Sequence, residues 1–200
     1  QPQGRAPLLI YGATHVGKTF EMREVRAQYY KNTEYINFET DEKIGSYFAT
    51  DIHADSVVVL LERYYQVKIV PEETLIIFDE IQMCERALTS LKYFAEEAPE
   101  YHVMAAGSLL GVAVNREKYS FPVGKVQMLT MYPMDLEEVL WAKGKQILSD
   151  TIREHYNSNV PLEDALHEEA MQEFEHYCII GGMPAAVKAD IMRNSSIGQE

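Results

Sequence analysis

Over the first two thirds of the chain, short apolar runs alternate with stretches in which apolar residues recur every three or four positions. Leu8–Tyr11 is a run of the first kind and predicts a buried strand; Glu34–Phe38, Thr74–Asp79, Tyr101–Ala106 and Lys125–Met131 predict four more. Helical spacing covers Lys18–Tyr30, Ser56–Gln66 and Arg86–Ala98. Pro71 and Pro99 punctuate the approaches to the third and fourth strands. Strands separated by helices need crossover connections, and these produce a parallel sheet covered on both faces. The expected fold is α/β in three layers, with a mostly parallel five-stranded sheet.

After Pro133 the pattern becomes helical. Asp135 has the chemistry of a helix N-cap, and Glu138 stands three residues on to complete a capping box for Leu136–Lys143. Gly144 is a natural stop. Ser149–Tyr156 and Leu162–Tyr177 follow, split by Asn157–Asn159 and Pro161. Gly181-Gly182-Met183-Pro184 is a sharp break before another helical stretch, and Asn194–Gly198 reads as a cut or frayed end. The division this suggests is a nucleotide-binding core over residues 1–134 and a partial helical lid, or the start of a further region, over 135–200.

The first strand runs into Gly12-Ala13-Thr14-His15-Val16-Gly17-Lys18-Thr19, a complete G-x-x-x-x-G-K-[ST] phosphate loop between a strand and a helix. Gly12 and Gly17 are expected to supply backbone angles closed to other residues. Backbone N–H groups of the loop then point inward at phosphate oxygens, and the positive end of the helix beginning near Gly17 adds to the same attraction. Lys18 is placed to meet the β- and γ-phosphates of ATP, and the Thr19 hydroxyl to ligate Mg²⁺. The fold expected is therefore that of a P-loop NTPase.

Leu75–Phe78 is an apolar strand ending in Asp79-Glu80. Asp79 is expected to hold Mg²⁺ and Glu80 to polarise an attacking water, so the pair points to hydrolysis and not binding alone. The fourth strand ends in Ala106-Gly107-Ser108. If that strand lies between the phosphate-loop strand and the Asp-Glu strand, Ser108 sits at its tip between Lys18 and Glu80. It is then either a γ-phosphate sensor or the Ser of a Gly-Ser turn. Asn37 ends the second strand and either hydrogen-bonds Glu80 or caps its own strand end.

Composition narrows the partners. With 31 acids against 18 Lys and Arg, the net charge is −13, and the stretch Leu136–His176 alone carries ten acids and three bases. No basic cluster stands out, so no nucleic-acid contact by this chain is expected. The longest apolar runs, Val57–Leu61 and Leu75–Phe78, are too short to cross a bilayer. The N-terminus has no signal-like stretch and no initiator Met, which reads as a trimmed chain from a cytoplasmic protein. Cys84 and Cys178 are isolated and read as reduced, buried residues. The six histidines form no ligand spacing, and His167-Glu168-Glu169-Ala170-Met171 misses the zinc pattern at its last position. Trp141 and the tyrosines read as packing residues and not as a base-stacking platform.

These pieces resemble the AAA+ ATPases, and within them the bacterial and archaeal group whose AAA domain precedes a C-terminal, nuclease-like domain of unknown function. The resemblance rests on Leu9–Gly12 through Gly17–Thr19, Tyr35–Phe38, Ile76–Gln82, Ala106–Gly111, Pro122–Val126, Leu129–Met134, and Tyr177 through Gly181–Pro184. The loop and the Asp-Glu strand are common to the superfamily; the last three segments are specific to the group. The resemblance implies an Mg²⁺-dependent ATPase, the sensor 1 position at Ser108, a possible homo-oligomer and an unknown protein partner. It also has departures. The group commonly carries Arg or Lys where this chain has Thr14-His15. Many relatives have Gly-Arg at Gly124-Lys125, where Lys cannot make the bidentate contact of an arginine finger. Arg86 and Arg116 are candidate fingers only because they follow the third and fourth strands.

Two further classes compete with hydrolysis. One is a module that senses ATP without significant turnover. The other is a small-molecule kinase, for which the sequence offers no acceptor pocket with basic residues near the γ-phosphate.

Overall fold

The computed structural model describes residues 5–108 and 124–197. The chain divides into two compact units, Gln1–Met131 and Tyr132–Glu200.

The first unit holds five strands: β1 (Leu8–Gly12), β2 (Asn32–Asn37), β3 (Thr74–Asp79), β4 (His102–Ser108) and β5 (Gln127–Met131). Their order is β2-β3-β4-β1-β5, and every pairing is parallel. The described helices of this unit are α1 (Lys18–Tyr29), α2 (Glu42–Tyr47), α3 (Ala54–Tyr65) and α4 (Glu85–Glu97), with a 3₁₀ turn over Ile81–Met83. β4 does lie between β1 and β3, so the phosphate-loop strand and the Asp-Glu strand flank it. In register, Gly12 stands opposite Ser108 on one side and Met131 on the other, while Asn37 stands opposite Asp79. The carboxyl ends of the strands, where open α/β sheets bind ligands, thus collect the polar residues.

β3 is buried along its whole length, so its alternate side chains serve opposite faces of the sheet. Leu75 and Ile77 pack with Ile10, Met22, Met104 and Ala106 on the α1 face. Ile76 and Phe78 pack with Leu61, Leu91 and Phe94 on the α3–α4 face. Phe78 meets Phe38, Phe48 and Phe94 at centroid distances of 5.5, 5.8 and 6.4 Å. Each such pair contributes on the order of 0.5–1.5 kcal/mol beyond area burial. Asp41 holds the turn after β2: it caps α2 by accepting from the Ile44 N–H and also accepts from the Tyr64 and Tyr65 hydroxyls at 3.0 and 2.9 Å. Burial and that carboxylate push the Tyr65 phenol pKa well up.

The second unit contains α5 (Leu136–Ala142), α6 (Gln146–Ser158), α7 (Asp164–Ile180) and α8 (Pro184–Ile197). The capping box forms as expected: Asp135 Oδ1 accepts from the Glu138 N–H, and Glu138 Oε2 accepts from the Asp135 N–H, each at 2.9 Å. The Gly-Gly break also has a steric cause. A Cβ on Gly182 would lie 1.8 Å from the Met134 carbonyl oxygen, and that approach lets the Met134 N–H donate to the Gly182 carbonyl at 2.8 Å. Tyr177 adds a hydroxyl bond to the Met134 carbonyl at 3.0 Å. Lys143 pairs with Glu173 at 2.6 Å, while His176 bonds Asp190 at 2.8 Å.

Three expectations are corrected here. The stretch expected to fray after Asn194 continues α8 to Ile197. Cys178 is exposed and only Cys84 is buried. Trp141 is 46% exposed because it falls on the outer side of the short α5, whose buried residues are Val139 and Leu140.

Candidate functional site

The phosphate loop leaves β1 at Gly12 and enters α1 at Lys18, with Gly17 as the N-cap at φ 108°. That angle is left-handed, and Gly is the residue that adopts it freely. Gly12 is different. Its φ is not positive; its requirement is space, since a Cβ there would lie 2.1 Å from the Met131 carbonyl oxygen on β5. The expected backbone-angle role therefore holds for Gly17 and fails for Gly12. The other left-handed residue in the loop is His15, at φ 65°. Ala13, Thr14 and His15 are exposed, whereas Val16 is buried and anchors the loop.

Lys18 is buried, and its ammonium donates to the loop's own carbonyls, to Gly12 at 3.2 Å and Ala13 at 2.8 Å. Burial pulls its pKa down, against the opposing pull of the Glu80 and Asp79 carboxylates. Asp79 at the end of β3 and Glu80 just after it thus both act on the loop lysine.

The Asp79 side chain accepts three hydrogen bonds. It is 2% exposed. Its Oδ2 accepts from the Thr19 hydroxyl at 2.8 Å and from the Tyr35 hydroxyl at 2.6 Å, and its Oδ1 accepts from the Glu80 N–H at 3.0 Å. A buried carboxylate is tolerable only when its lone pairs are satisfied in this way. The Thr19–Asp79 bond joins two motifs separated by 60 residues of chain. Tyr35 arrives from β2; burial first, then the bond to Asp79, raises its phenol pKa, and the Arg23 guanidinium lies 5.7 Å from its ring centroid.

Glu80 turns the chain out of β3 at φ 51°, a left-handed angle that costs a non-glycine residue roughly 1–2 kcal/mol. Strain of this kind clusters at functional sites. The buried Ile81 anchors the 3₁₀ turn that follows. Gln82, in the same turn, donates its amide to Glu80 Oε2 at 2.5 Å and accepts from the Ser108 N–H at 3.2 Å.

The structure therefore brings Lys18, Thr19, Asp79, Glu80 and Ser108 to one end of the sheet. Asn37 is also at that end but serves differently from one of its two expected roles. Its Oδ1 caps the turn after β2 by accepting from the Glu39 and Thr40 N–H groups at 2.9 and 3.1 Å, and its amide donates to the Tyr35 hydroxyl at 3.5 Å. It thus reaches Asp79 through Tyr35, while among the described residues Gln82 is the side chain bonded to Glu80. Arg86 donates to the Phe48 carbonyl at 2.7 Å and so ties α4 to the end of α2. Arg116, and the parts of the resemblance over Leu109–Gly111 and Pro122–Val123, lie outside the described residues. Lys125 pairs with Glu96 at 3.3 Å.

Tyr35 and Gln82 lie within segments that carry the resemblance, but neither is assigned a role from sequence. Tyr35 had a faint signal, since it stands two positions before Asn37 and shares its face of β2. Gln82 had its place in the Ile76–Gln82 segment and its nearness to Glu80.

The donor chemistry fits a hard cation. Among the described residues no group of three His, Cys, Asp or Glu side chains is placed to hold a metal ion. A hydroxyl and a carboxylate at 2.8 Å are, however, the two protein oxygens that Mg²⁺ uses when phosphate and water fill its other positions. No helix among the described residues is long and apolar enough to cross a membrane.

Among solved structures, the chain is similar to the Walker-type ATPase PABY2304 of Pyrococcus abyssi, at 14% identity over 91% of this chain and 61% of that one, with a TM-score of 0.49. It is also similar to the ORC2 protein of Aeropyrum pernix in ADPNP–ADP complexes, at 15% identity over 72% of this chain and 46% of that one, TM-score 0.46. The Drosophila ORC bound to DNA matches at 14% identity over 76% of this chain and 44% of that one, TM-score 0.46. This chain thus spans less than two thirds of each of those chains. No curated protein matches it. The AAA-domain family matches residues 4–140, more than half of the sequence and all of the site just described, and the chain belongs to that family.

Proposed function

We propose that this chain binds ATP with Mg²⁺ at the phosphate loop and hydrolyses it, with Glu80 as the base. The observation that carries the reading is the Thr19–Asp79 hydrogen bond, which joins the phosphate-loop helix to the acidic strand beside a buried Lys18. Loop N–H groups from Ala13 to Thr19 would hold the phosphates, and Lys18 would turn its ammonium from the Gly12 and Ala13 carbonyls towards them. Bound Mg²⁺ would neutralise phosphate charge; Thr19 and Asp79 would hold it. Glu80 would take the proton of the attacking water, and Ser108, opposite Gly12 in register, would contact the γ-phosphate or that water. Asn37 would act on the nucleotide site only through Tyr35 and Asp79.

Residues 135–200 would form a partial helical lid, or the start of a further region, that passes nucleotide state to a further domain, a protein partner or a second copy of the chain. A cytoplasmic setting is part of the same reading. With a net charge of −13, the chain itself is assigned no nucleic-acid contact. Tight, salt-dependent anisotropy changes with labelled duplex DNA would contradict that.

Thermal unfolding with ATP tests the binding step. A ligand at about 100 times its Kd stabilises by roughly 2.7 kcal/mol. The stabilisation is expected with Mg²⁺ and largely absent in EDTA. An equal shift in EDTA argues against Thr19 and Asp79 as the metal pair.

A further inference from the structure

We propose that Gln82 is a positioning residue that locates the Glu80 carboxylate relative to the phosphate loop. The inference rests on the hydrolytic reading above. Its basis is a continuous chain of contacts across three strand ends. Gly12, where β1 enters the loop, is opposite Ser108 at the tip of β4. The Ser108 N–H donates to Gln82 Oε1 at 3.2 Å, and Gln82 Nε2 donates to Glu80 Oε2 at 2.5 Å. Both ends of one amide are thus committed. Because an amide has distinct donor and acceptor ends, the backbone donor at Ser108 sets which end faces Glu80.

The chemistry favours support over inhibition. Gln82 occupies Oε2 of the carboxylate and leaves Oε1 to accept from water. A neutral amide donor neither protonates the base nor competes for its charge as a Lys or Arg would. Glu80 also leaves β3 at a left-handed φ of 51°, so its backbone enters the site on a turn and not on the regular strand. A carboxylate on such a turn is placed by its side-chain partner, and a lateral shift of about 1 Å at a reacting group costs up to roughly 10²-fold in rate. The buried Ile81 and the 3₁₀ turn hold the Gln82 backbone, which makes the side chain a spacer of defined length between the β3 and β4 tips.

The test is steady-state phosphate release and nucleotide affinity in the full chain, for the parent and for Gln82→Met and Gln82→Glu. Met keeps the side-chain length and loses both hydrogen bonds. Glu keeps an acceptor for the Ser108 N–H and replaces the donor by a carboxylate that repels Glu80. Both variants are expected to lower kcat about 10- to 100-fold with the Kd for Mg·ATP unchanged. Hydrogen exchange at the Ser108 amide should quicken in Gln82→Met and stay slow in Gln82→Glu. Variants that turn over at the parent rate, or faster, overturn the positioning role while leaving Glu80 as the base. A parent chain that binds Mg·ATP but releases no phosphate overturns the hydrolytic reading and this inference with it. An unchanged Ser108 exchange rate in Gln82→Met removes the contact on which the role is built.

Discussion

Replacing Gly12 by Ala separates two accounts of why the phosphate loop begins with glycine. If Gly12 served a left-handed angle, Ala would add about 1–2 kcal/mol of backbone strain and leave the sheet intact. The structure assigns a different cost. The new Cβ would sit 2.1 Å from the Met131 carbonyl oxygen and 3.1 Å from its carbon, both backbone atoms of β5. Ordinary contact needs more than about 3 Å between such atoms, so β1 and β5 must part by roughly 1 Å at their carboxyl ends. Overpacking of this kind costs about 1–3 kcal/mol. Loosening the Gly12–Met131 end of the pairing sacrifices one or two hydrogen bonds at about 0.5–1.5 kcal/mol each. Because β5 is the outermost of the described strands and can swing outward, a total near 2–4 kcal/mol is expected. Gly17→Ala is the internal comparison. It meets only the flexible Met131 Cε at 3.3 Å and pays chiefly for φ 108°, so its cost should be nearer 1–2 kcal/mol. Urea unfolding followed by far-UV circular dichroism, with m-values compared, measures both. A Gly12→Ala loss smaller than that of Gly17→Ala would show that the β5 contact does not govern Gly12.

Other outcomes follow from the same geometry. Lys18→Ala should weaken ATP binding by about 10- to 150-fold, the equivalent of a charge-assisted contact worth roughly 1.5–3 kcal/mol; unchanged affinity in a fluorescent-nucleotide titration removes the loop from the account. Tyr35→Phe deletes one of three donors to Asp79 and should cost about 1–2 kcal/mol in urea unfolding, with Mg·ATP binding retained; no loss of stability would show that the 2.6 Å bond contributes nothing net. His53 has its pKa raised, first by its hydrogen bond to Glu97. The stability it contributes is therefore fully present below its unfolded value near 6.5 and is lost as pH rises through the higher folded value. In Glu97→Gln an NMR titration of the His53 ring should move downward, and an unmoved midpoint would exclude Glu97 as the cause.

Much of the architecture was legible because local signals agreed with one another. Thr74–Asp79 was bounded correctly at both ends, since a continuous apolar run between Pro71 and an acidic pair has one consistent reading. The parallel sheet followed from strands alternating with helices. The capping box at Asp135 was visible because its two partners are three residues apart. The short α2 was not read, although Asp41 is a proper N-cap: six residues containing Gly45 are too few for a periodic signal, and the helix depends on bonds from Tyr64 and Tyr65. The stretch from Asn194 was read as a cut or frayed end, yet the helix continues to Ile197. In the candidate site, motif spacing singled out Lys18, Thr19, Asp79 and Glu80, and an assumed strand order singled out Ser108. Tyr35, Gln82 and the steric reason for Gly12 all depend on which strand lies beside which, and no local pattern encodes that.

Glu80→Gln isolates the hydrolytic step. Gln keeps the size of the side chain and the same left-handed backbone, and it removes the base. Phosphate release should fall about 10²- to 10⁴-fold, the usual contribution of general base catalysis, while the Kd for Mg·ATP stays at the parent value. Phosphate release at the parent rate in Glu80→Gln would contradict the account.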